Sequence, residues 1–298
     1  MPCSAATKKV LALLLVGTGG CAADAMGGEL GSIDQPIIGG QDVAPGAYPA
    51  TGALVRGRSY RCTATLIAPD VILTAAHCLD GDGWGDFGFT LDAELKVDIT
   101  NVVPALIYHQ HPNFQSEASE DFTRIGQRND IGIVILEEPI LDVPFEQLDT
   151  DEEYASLQTG DELLLCGYGR NSWSSQLTAG LKREATIYVD LATSWELQSV
   201  RENPQPCKGD SGGPVFIQTP NGRRITGLVS RAAGESRMCD TGAIYTRVST
   251  YVDWIEDASQ DRDQGCAAGG RGGAALWTWP ALLAGLAIAR RRKRRPLA

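Results

Sequence analysis

Cys207-Lys208-Gly209-Asp210-Ser211-Gly212-Gly213-Pro214 sets a serine between glycines, directly after an aspartate and a cysteine. A serine hydroxyl is a poor nucleophile at neutral pH. It attacks an acyl group only when a neighbouring base takes its proton and fixed donors receive the developing oxyanion. Gly209 has no side chain to hinder the amides of Gly209 and Ser211 from turning inward, and Gly212-Gly213 let the chain bend just beyond the serine. Clusters of Gly, Ser and Asp also build ordinary turns, so the meaning of Ser211 depends on a base elsewhere in the chain.

A histidine titrates near neutral pH and can both accept and return a proton. The chain has three. His109 and His111, in Tyr108-His109-Gln110-His111-Pro112, read as a structural pair in a surface loop beside a proline. His77 follows the apolar run Val71-Ile72-Leu73 and abuts Cys78, and alone it would read as a buried structural histidine. Asp130 opens the strongly apolar stretch 131–136. After Asn129 it could cap a turn, yet a carboxylate there without a partner would be costly.

Taken together, Thr74-Ala75-Ala76-His77-Cys78, Asn129-Asp130-Ile131 and Gly209-Asp210-Ser211-Gly212-Gly213, with Ile37-Ile38-Gly39-Gly40, resemble the trypsin/chymotrypsin family of serine proteases, from about Ile37 to Glu256. The resemblance implies His77 as general base and then acid, Asp130 as the group that holds the imidazole tautomer, and Ser211 as nucleophile. The amides of Gly209 and Ser211 would form the oxyanion hole. Of the eight cysteines, the family pattern pairs Cys62 with Cys78 and Cys207 with Cys239, which presupposes an oxidising compartment. Cys166, in the apolar run Leu163-Leu164-Leu165-Cys166, is left as a buried small hydrophobe.

Short apolar runs at 63–68, 71–73, 131–136, 163–166, 187–191, 215–218 and 225–229, bounded by Gly, Pro, Asn and Asp, predict antiparallel all-β structure. The resemblance makes this two six-stranded barrels with the triad in the cleft between them. Tyr251-Val252-Asp253-Trp254-Ile255 matches the family's short C-terminal helix.

In the family, cleavage frees the amine of the first residue of the Ile-Val-Gly-Gly-like segment, which turns inward to the aspartate before the nucleophile. Here the pair would be Ile37 and Asp210. The bond to be cut follows Pro36 rather than Arg or Lys, which points to an activating protease other than a trypsin.

Substrate choice is read from the expected pocket. Where trypsins carry an aspartate this chain has Gln205, followed by Pro206, and without a carboxylate a buried Lys or Arg would lack its counter-ion. Ala232 and Ala243 stand at wall positions that are glycine in trypsin-like enzymes, and their methyl groups narrow the opening. Cleavage after small or medium uncharged residues is the expectation. Ser230 and the residues after it should offer a strand edge to the substrate backbone. Arg231 replaces the usual aromatic there, either favouring acidic substrate residues or standing solvated at the edge.

The termini speak of export. Lys8-Lys9 precede the apolar run 10–16, too short to span a bilayer and typical of a secretory signal peptide over about residues 1–25. A leader, 26–36, joins it to the peptidase unit, 37–257. Gly19-Gly20-Cys21 looks like a degenerate lipoprotein site, whereas Ala23-Asp24-Ala25 fits an ordinary signal peptidase. Residues 258–298 carry Gly265-Cys266, a glycine-rich spacer, the apolar stretch 274–289 and the basic cluster 290–295. They resemble the C-terminal sorting tags of surface proteins from myxobacteria and related Gram-negative bacteria, with Cys266 as the processing point; a plain C-terminal anchor is the alternative. The apolar stretch would reach only about 24 Å as a helix, marginal for a span.

Without those six terminal basic residues the net charge passes from −11 to −17, so the body should not bind nucleic acid nonspecifically. No metal-ligand spacing and no cofactor motif stands out. The acidic loop 92–98 could hold calcium, without further support. The expected partners are peptide or protein substrates, an activating protease and, through either end, a membrane. A noncatalytic binding or adhesion protein on the same fold is the competing class, disfavoured by the intact His77, Asp130 and Ser211. A lipase or esterase is disfavoured too: Gly209-Asp210-Ser211-Gly212-Gly213 fits Gly-x-Ser-x-Gly by letter, but in that class the elbow belongs to an α/β fold with the histidine last in the chain, whereas His77 comes first here.

Overall fold

The structure, a computed structural model, describes residues 37, 39–80, 86–95, 98–116, 124–170, 179–199, 204–234, 239 and 241–262. The expected signal and leader, 1–36, and the C-terminal segment from 263 onward, with Cys21 and Cys266, lie outside the described residues, whereas 258–262 of the expected linker and tag are described.

The first barrel is built from β2 (Thr51–Arg56), β3 (Ser59–Ala68), β4 (Val71–Thr74), β5 (Phe87–Thr90), β6 (Val103–Gln110) and β7 (Gly132–Leu136), closed in the order β2-β3-β4-β7-β6-β5. Strands β4 and β7 are buried throughout, and apolar save for Thr74 at the end of β4, because both of their faces are covered. Ile72 and Val134 point into the barrel with Leu54, Leu66 and Phe89. Leu73, Ile133 and Ile135 point the other way, into a core shared with Phe216, Ile225 and Leu228 of the second barrel. One alternating pattern thus fills the barrel and glues it to its neighbour.

The second barrel comprises β8 (Glu162–Gly167), β9 (Arg183–Ala192), β10 (Glu196–Ser199), β11 (Pro214–Thr219), β12 (Gly222–Ala232) and β13 (Ala243–Arg247). It runs β9-β10-β13-β12-β11-β8, and pairing of β8 with β9 closes it, while β1 (Gln41–Asp42) adds to β9 from outside. Leu163, Leu165, Ile187, Val189, Leu197, Val215, Val229 and Tyr245 fill it. Two six-stranded antiparallel barrels is the architecture the sequence implied.

Two helices complete the described chain. α1 (Asp151–Ala155) starts at a capping box, Thr150 accepting from the Glu153 amide while the Glu153 side chain accepts from the Thr150 amide. The helix at the C-terminal end, α2 (Val252–Gln260), runs beyond the expected 251–255. Its neighbour Tyr251 packs into the shared core together with Ile255 and Ala258. Strands β2, β5, β6, β10 and β13 had no counterpart among the apolar runs because Gly, Thr, Pro and charged residues interrupt them.

Candidate active site

Register places the first two residues. Leu73 pairs with Ile133 and Thr74 with Gly132, so the end of β4 and the start of β7 meet at one rim. A single 3-10 turn over Ala76–Leu79 follows β4 and carries His77, while Asp130 lies two residues before β7. Gly132 is needed at the join, since a Cβ there would come within 2.6 Å of Leu79 Cδ1.

Asp130 is buried and accepts three hydrogen bonds. The His77 amide donates to Oδ1 at 2.9 Å, His77 Nδ1 lies 2.8 Å from Oδ2, and the Ser230 hydroxyl donates to Oδ2 at 2.6 Å. Burial alone would raise the Asp130 pKa. The charge and ring hydrogen bond of His77, the Ser230 hydroxyl and the His77 amide overcome it and hold the carboxyl below its ordinary range. An ionised Asp130 accepts at Nδ1–H, which leaves Nε2 as the basic nitrogen of the ring. Asn129, at φ 54°, is fixed by Asn113 O and the Tyr251 hydroxyl, so Asp130 leaves a rigid corner.

Ser211 docks from the second barrel on β3 and the end of β4. Its carbonyl accepts from the Thr63 amide at 3.0 Å. Gly212, at φ 75°, lies so close that a Cβ would fall 2.1 Å from Thr74 Oγ1 and 2.9 Å from Ala75 N, just ahead of His77. Among the described residues the Ser211 hydroxyl makes no hydrogen bond. Catalytic hydrogen bonds of unliganded sites are often long and tighten only around substrate.

The three carbonyls leading into Ser211 are all occupied. Lys208 O accepts from Arg170 N at 3.0 Å, Gly209 O from Thr63 Oγ1 at 3.0 Å and from the Tyr60 hydroxyl, and Asp210 O from Gly213 N at 2.8 Å. In a planar trans peptide the N–H points opposite to the C=O. Lys208 O therefore sets the direction of the Gly209 amide, and Asp210 O that of the Ser211 amide. Neither amide donates to a described residue, whereas the Asp210 amide between them is taken by Cys207 O at 2.9 Å. This is the alternation an oxyanion hole requires. Tyr60, Thr63 and the Arg170 amide were not singled out in the sequence, because their contribution is to orient backbone.

Asp210 is fully buried, and its carboxylate accepts from Gly169 N and Cys207 N, both at 2.8 Å. Gly167 and Gly169 leave it room, since a Cβ at either would sit 2.1 to 2.3 Å from a carboxylate oxygen. Burial pushes its pKa up to about 6 against those two bonds and the charge of Arg183. Ile37 is fully buried in the second barrel's core, at φ 35°. No hydrogen bond joins it to Asp210 in this chain, in which the Ile37 nitrogen is a peptide amide.

The pocket residues come together across three strands. Ser199 pairs with Ala243, and Ala243 with Ala232, so the three stand in a row over β10, β13 and β12. Gln205 is buried beside them, 3.5 Å from the Ser199 hydroxyl, which lies 2.9 Å from Tyr245 Oη. Pro206 follows, half-buried. Ser230 turns to Asp130. Pairing of β12 with β11 ends at Leu228, so the strand from Ser230 to Ala232 keeps β13 as its partner on one side.

Arg231 departs from both sequence readings. It is neither solvated nor directed at substrate, because its side chain is 2% exposed and forked onto Glu196, itself 1% exposed, at 2.7 and 2.8 Å. It also donates to Arg124 O at 2.8 Å and to the Ser230 hydroxyl at 3.2 Å, and Glu196 accepts from Gly126 N at 2.6 Å. A buried guanidinium needs such a partner, and Glu196 was invisible as that partner at a separation of 35 residues.

Disulfides join Cys62 to Cys78 and Cys207 to Cys239, and Cys166 is buried with a free thiol whose pKa burial raises. Cys62, His77 and Cys78 cluster closely enough to suggest a metal site, but the two sulfurs are bonded to each other and His77 faces Asp130. In the loop considered for calcium, Asp98 binds Arg58 at 3.1 Å and Asp92 takes the Asn101 amide at 2.9 Å. His109 belongs to β6 rather than to a surface loop and lies 2.8 Å from Asp261 O. His111 packs its ring on Tyr251 and Trp254, and burial lowers its pKa.

Residues 37–255 match the family model described as Trypsin. Chymotrypsin-C of Bos taurus is 29% identical over 254 residues, covering 77% of this chain and 91% of its own length. Chymotrypsin-C of Mus musculus is 28% identical over 256 residues with the same coverage. Phenoloxidase-activating factor 3 of Holotrichia diomphalia is 27% identical over 274 residues, 75% of this chain and 72% of that protein.

Proposed function

Because this chain belongs to the trypsin family of serine peptidases, we propose that it is an exported endopeptidase in which His77, Asp130 and Ser211 are the working triad. The reading rests above all on one observation: the His77–Asp130 pair stands at the rim where the Ser211 turn leaves two amides undonated. The Ser211 oxygen bonds to the substrate carbonyl carbon as its proton passes to His77 Nε2. The oxyanion is received by the amides of Gly209 and Ser211. His77 then returns the proton to the departing amine as the C–N bond breaks, leaving an acyl-serine. Water repeats the sequence and releases the acid.

Gln205, Pro206, Ser230, Ala232 and Ala243 would frame a pocket for small or medium uncharged side chains. A described pocket row without a carboxylate supports this, as does likeness to proteins named Chymotrypsin-C. Cleavage after Pro36 by another protease would free an Ile37 ammonium for Asp210. Supporting observations are the high pKa of Asp210 and the positive φ of Ile37, which a β-branched residue avoids. Residues 1–25 would be the export signal, 26–36 the leader, and 258–298 a linker, beginning in the last turn of α2, and a surface-sorting tag of a Gram-negative bacterium.

The test compares the protein freed at Ile37 with its Ser211→Ala variant on a peptide library read by mass spectrometry. Cleavage after Ala, Val, Leu or Phe that vanishes in the variant supports the proposal. Equal behaviour of two folded samples favours the binding-protein class, and Arg or Lys preferred more than tenfold removes the pocket reading.

A further inference from the structure

Two hydroxyls of the first barrel converge on one carbonyl of the second. Tyr60 and Thr63, both on β3, donate to Gly209 O, the Thr63 bond measuring 3.0 Å. A carbonyl can only accept, so both groups donate. Burial raises the Tyr60 pKa well above its ordinary value, which keeps the phenol protonated and able to donate. Thr63 Oγ1 in turn accepts from Tyr168 N at 3.1 Å, which orients its own proton toward Gly209. The Tyr60 ring covers Gly209, where a Cβ would meet Cε1 at 2.8 Å, and Gly209 has φ 106°. A glycine in that region costs little to rotate. The peptide that follows it, Gly209–Asp210, is fixed by what holds the Gly209 carbonyl.

We propose that Tyr60 and Thr63 are positioning residues of the oxyanion hole: by holding Gly209 O on the side of the first barrel, they fix the Gly209–Asp210 peptide that links the two donor amides, and so remove the freedom to swivel at Gly209 that would let its own amide swing away from the reacting carbonyl oxygen. The bond from Arg170 N to Lys208 O fixes the preceding peptide within the second barrel. The hydroxyl pair adds the only described side-chain donors to Gly209 O, and it crosses the cleft between the domains. The peptide that links the two donor amides is therefore fixed by how the two barrels dock. The inference rests on the serine-peptidase reading above.

The test uses Tyr60→Phe, which keeps the ring packed on Gly209 and removes only the donor, Thr63→Val, Thr63→Ser and the Tyr60→Phe/Thr63→Val pair, each in the protein freed at Ile37. The readouts are kcat and KM on one peptide substrate, and inhibition by a peptide aldehyde whose hemiacetal places an oxygen in the hole. Losing a whole oxyanion donor costs about 10²–10³ in kcat. A misdirected donor is expected to cost about tenfold for each single loss and about a hundredfold for the pair. KM should stay within about twofold, aldehyde affinity should fall in proportion to kcat/KM, and Thr63→Ser should retain wild-type rates. Unchanged kcat in the double variant, or a loss carried by KM with aldehyde affinity intact, would overturn the proposal. Absence of any Ser211-dependent hydrolysis by the wild type would instead sink the peptidase reading on which it stands.

Discussion

The two halves of the site are held by different kinds of bond. On the histidine side, side chains define the geometry: Asp130 grips the His77 ring and receives the Ser230 hydroxyl, at 2.8 and 2.6 Å. On the serine side the geometry lies in the backbone, where Lys208, Gly209 and Asp210 each offer a carbonyl to a donor and the amides of Gly209 and Ser211 are left facing the opposite way. The first half concentrates its chemistry in two ionisable groups. The second distributes it over neutral dipoles, which need rigid fixation rather than charge.

The largest effect should come from breaking the side-chain half. Asp130→Asn keeps the shape but deprives the imidazole of the acceptor that selects its tautomer, and a loss of about 10⁴ in kcat with KM little changed is expected in steady-state assays. A loss below tenfold would mean that Ser230 and the backbone suffice to orient His77. Next comes the buried ion pair beneath that half. Arg231→Met strands Glu196 in a dry site and should lower unfolding free energy by about 3–5 kcal/mol in denaturant titration, whereas Arg231→Met/Glu196→Leu should recover most of it. Equal loss in both variants would show that shape, not charge, is what the pair supplies.

Gly169→Ala attacks the backbone half. Its Cβ would lie 2.3 Å from the Asp210 carboxylate, so the Cys207–Ser211 turn must shift. A displacement of about 1 Å at a reacting centre costs about a hundredfold in kcat. Full activity with an unshifted Ser211 would show that this turn tolerates movement.

What the sequence made legible follows the same division. His77, Asp130 and Ser211 carry chemistry in their side chains, so residue type and local pattern single them out, and β3, β4 and β7 announce themselves as apolar runs. Tyr60 and Thr63 could not be found that way, since a hydroxyl aimed at a carbonyl 146 or more residues away leaves no local pattern. Arg231 was noticed but misread, because its meaning depends on Glu196 across β10. Asp149 was not singled out at all: it is buried with one oxygen on the Thr226 hydroxyl at 2.7 Å and the other unpartnered among the described residues, and neither contact leaves a local pattern.

Asp149 carries the smallest prediction. Burial raises its pKa to about 7, against about 4 in an unfolded chain. The folded protein thus keeps a proton that the unfolded chain gives up, and the resulting stability is present below pH 4 and lost as pH rises from about 4 to 7. Asp149→Asn should melt increasingly above wild type between pH 4.5 and 7.5. A constant difference in Tm would contradict this account of the site.

The most direct measurement is to treat the protein freed at Ile37 with a fluorophosphonate and locate the adduct by peptide mass spectrometry. Such a reagent traps a serine whose proton has a base to receive it and whose adduct oxygen has amides to bind. The account predicts a single adduct on Ser211, lost in His77→Ala. A folded protein that remains unlabelled at Ser211, or that labels equally well without His77, would contradict it.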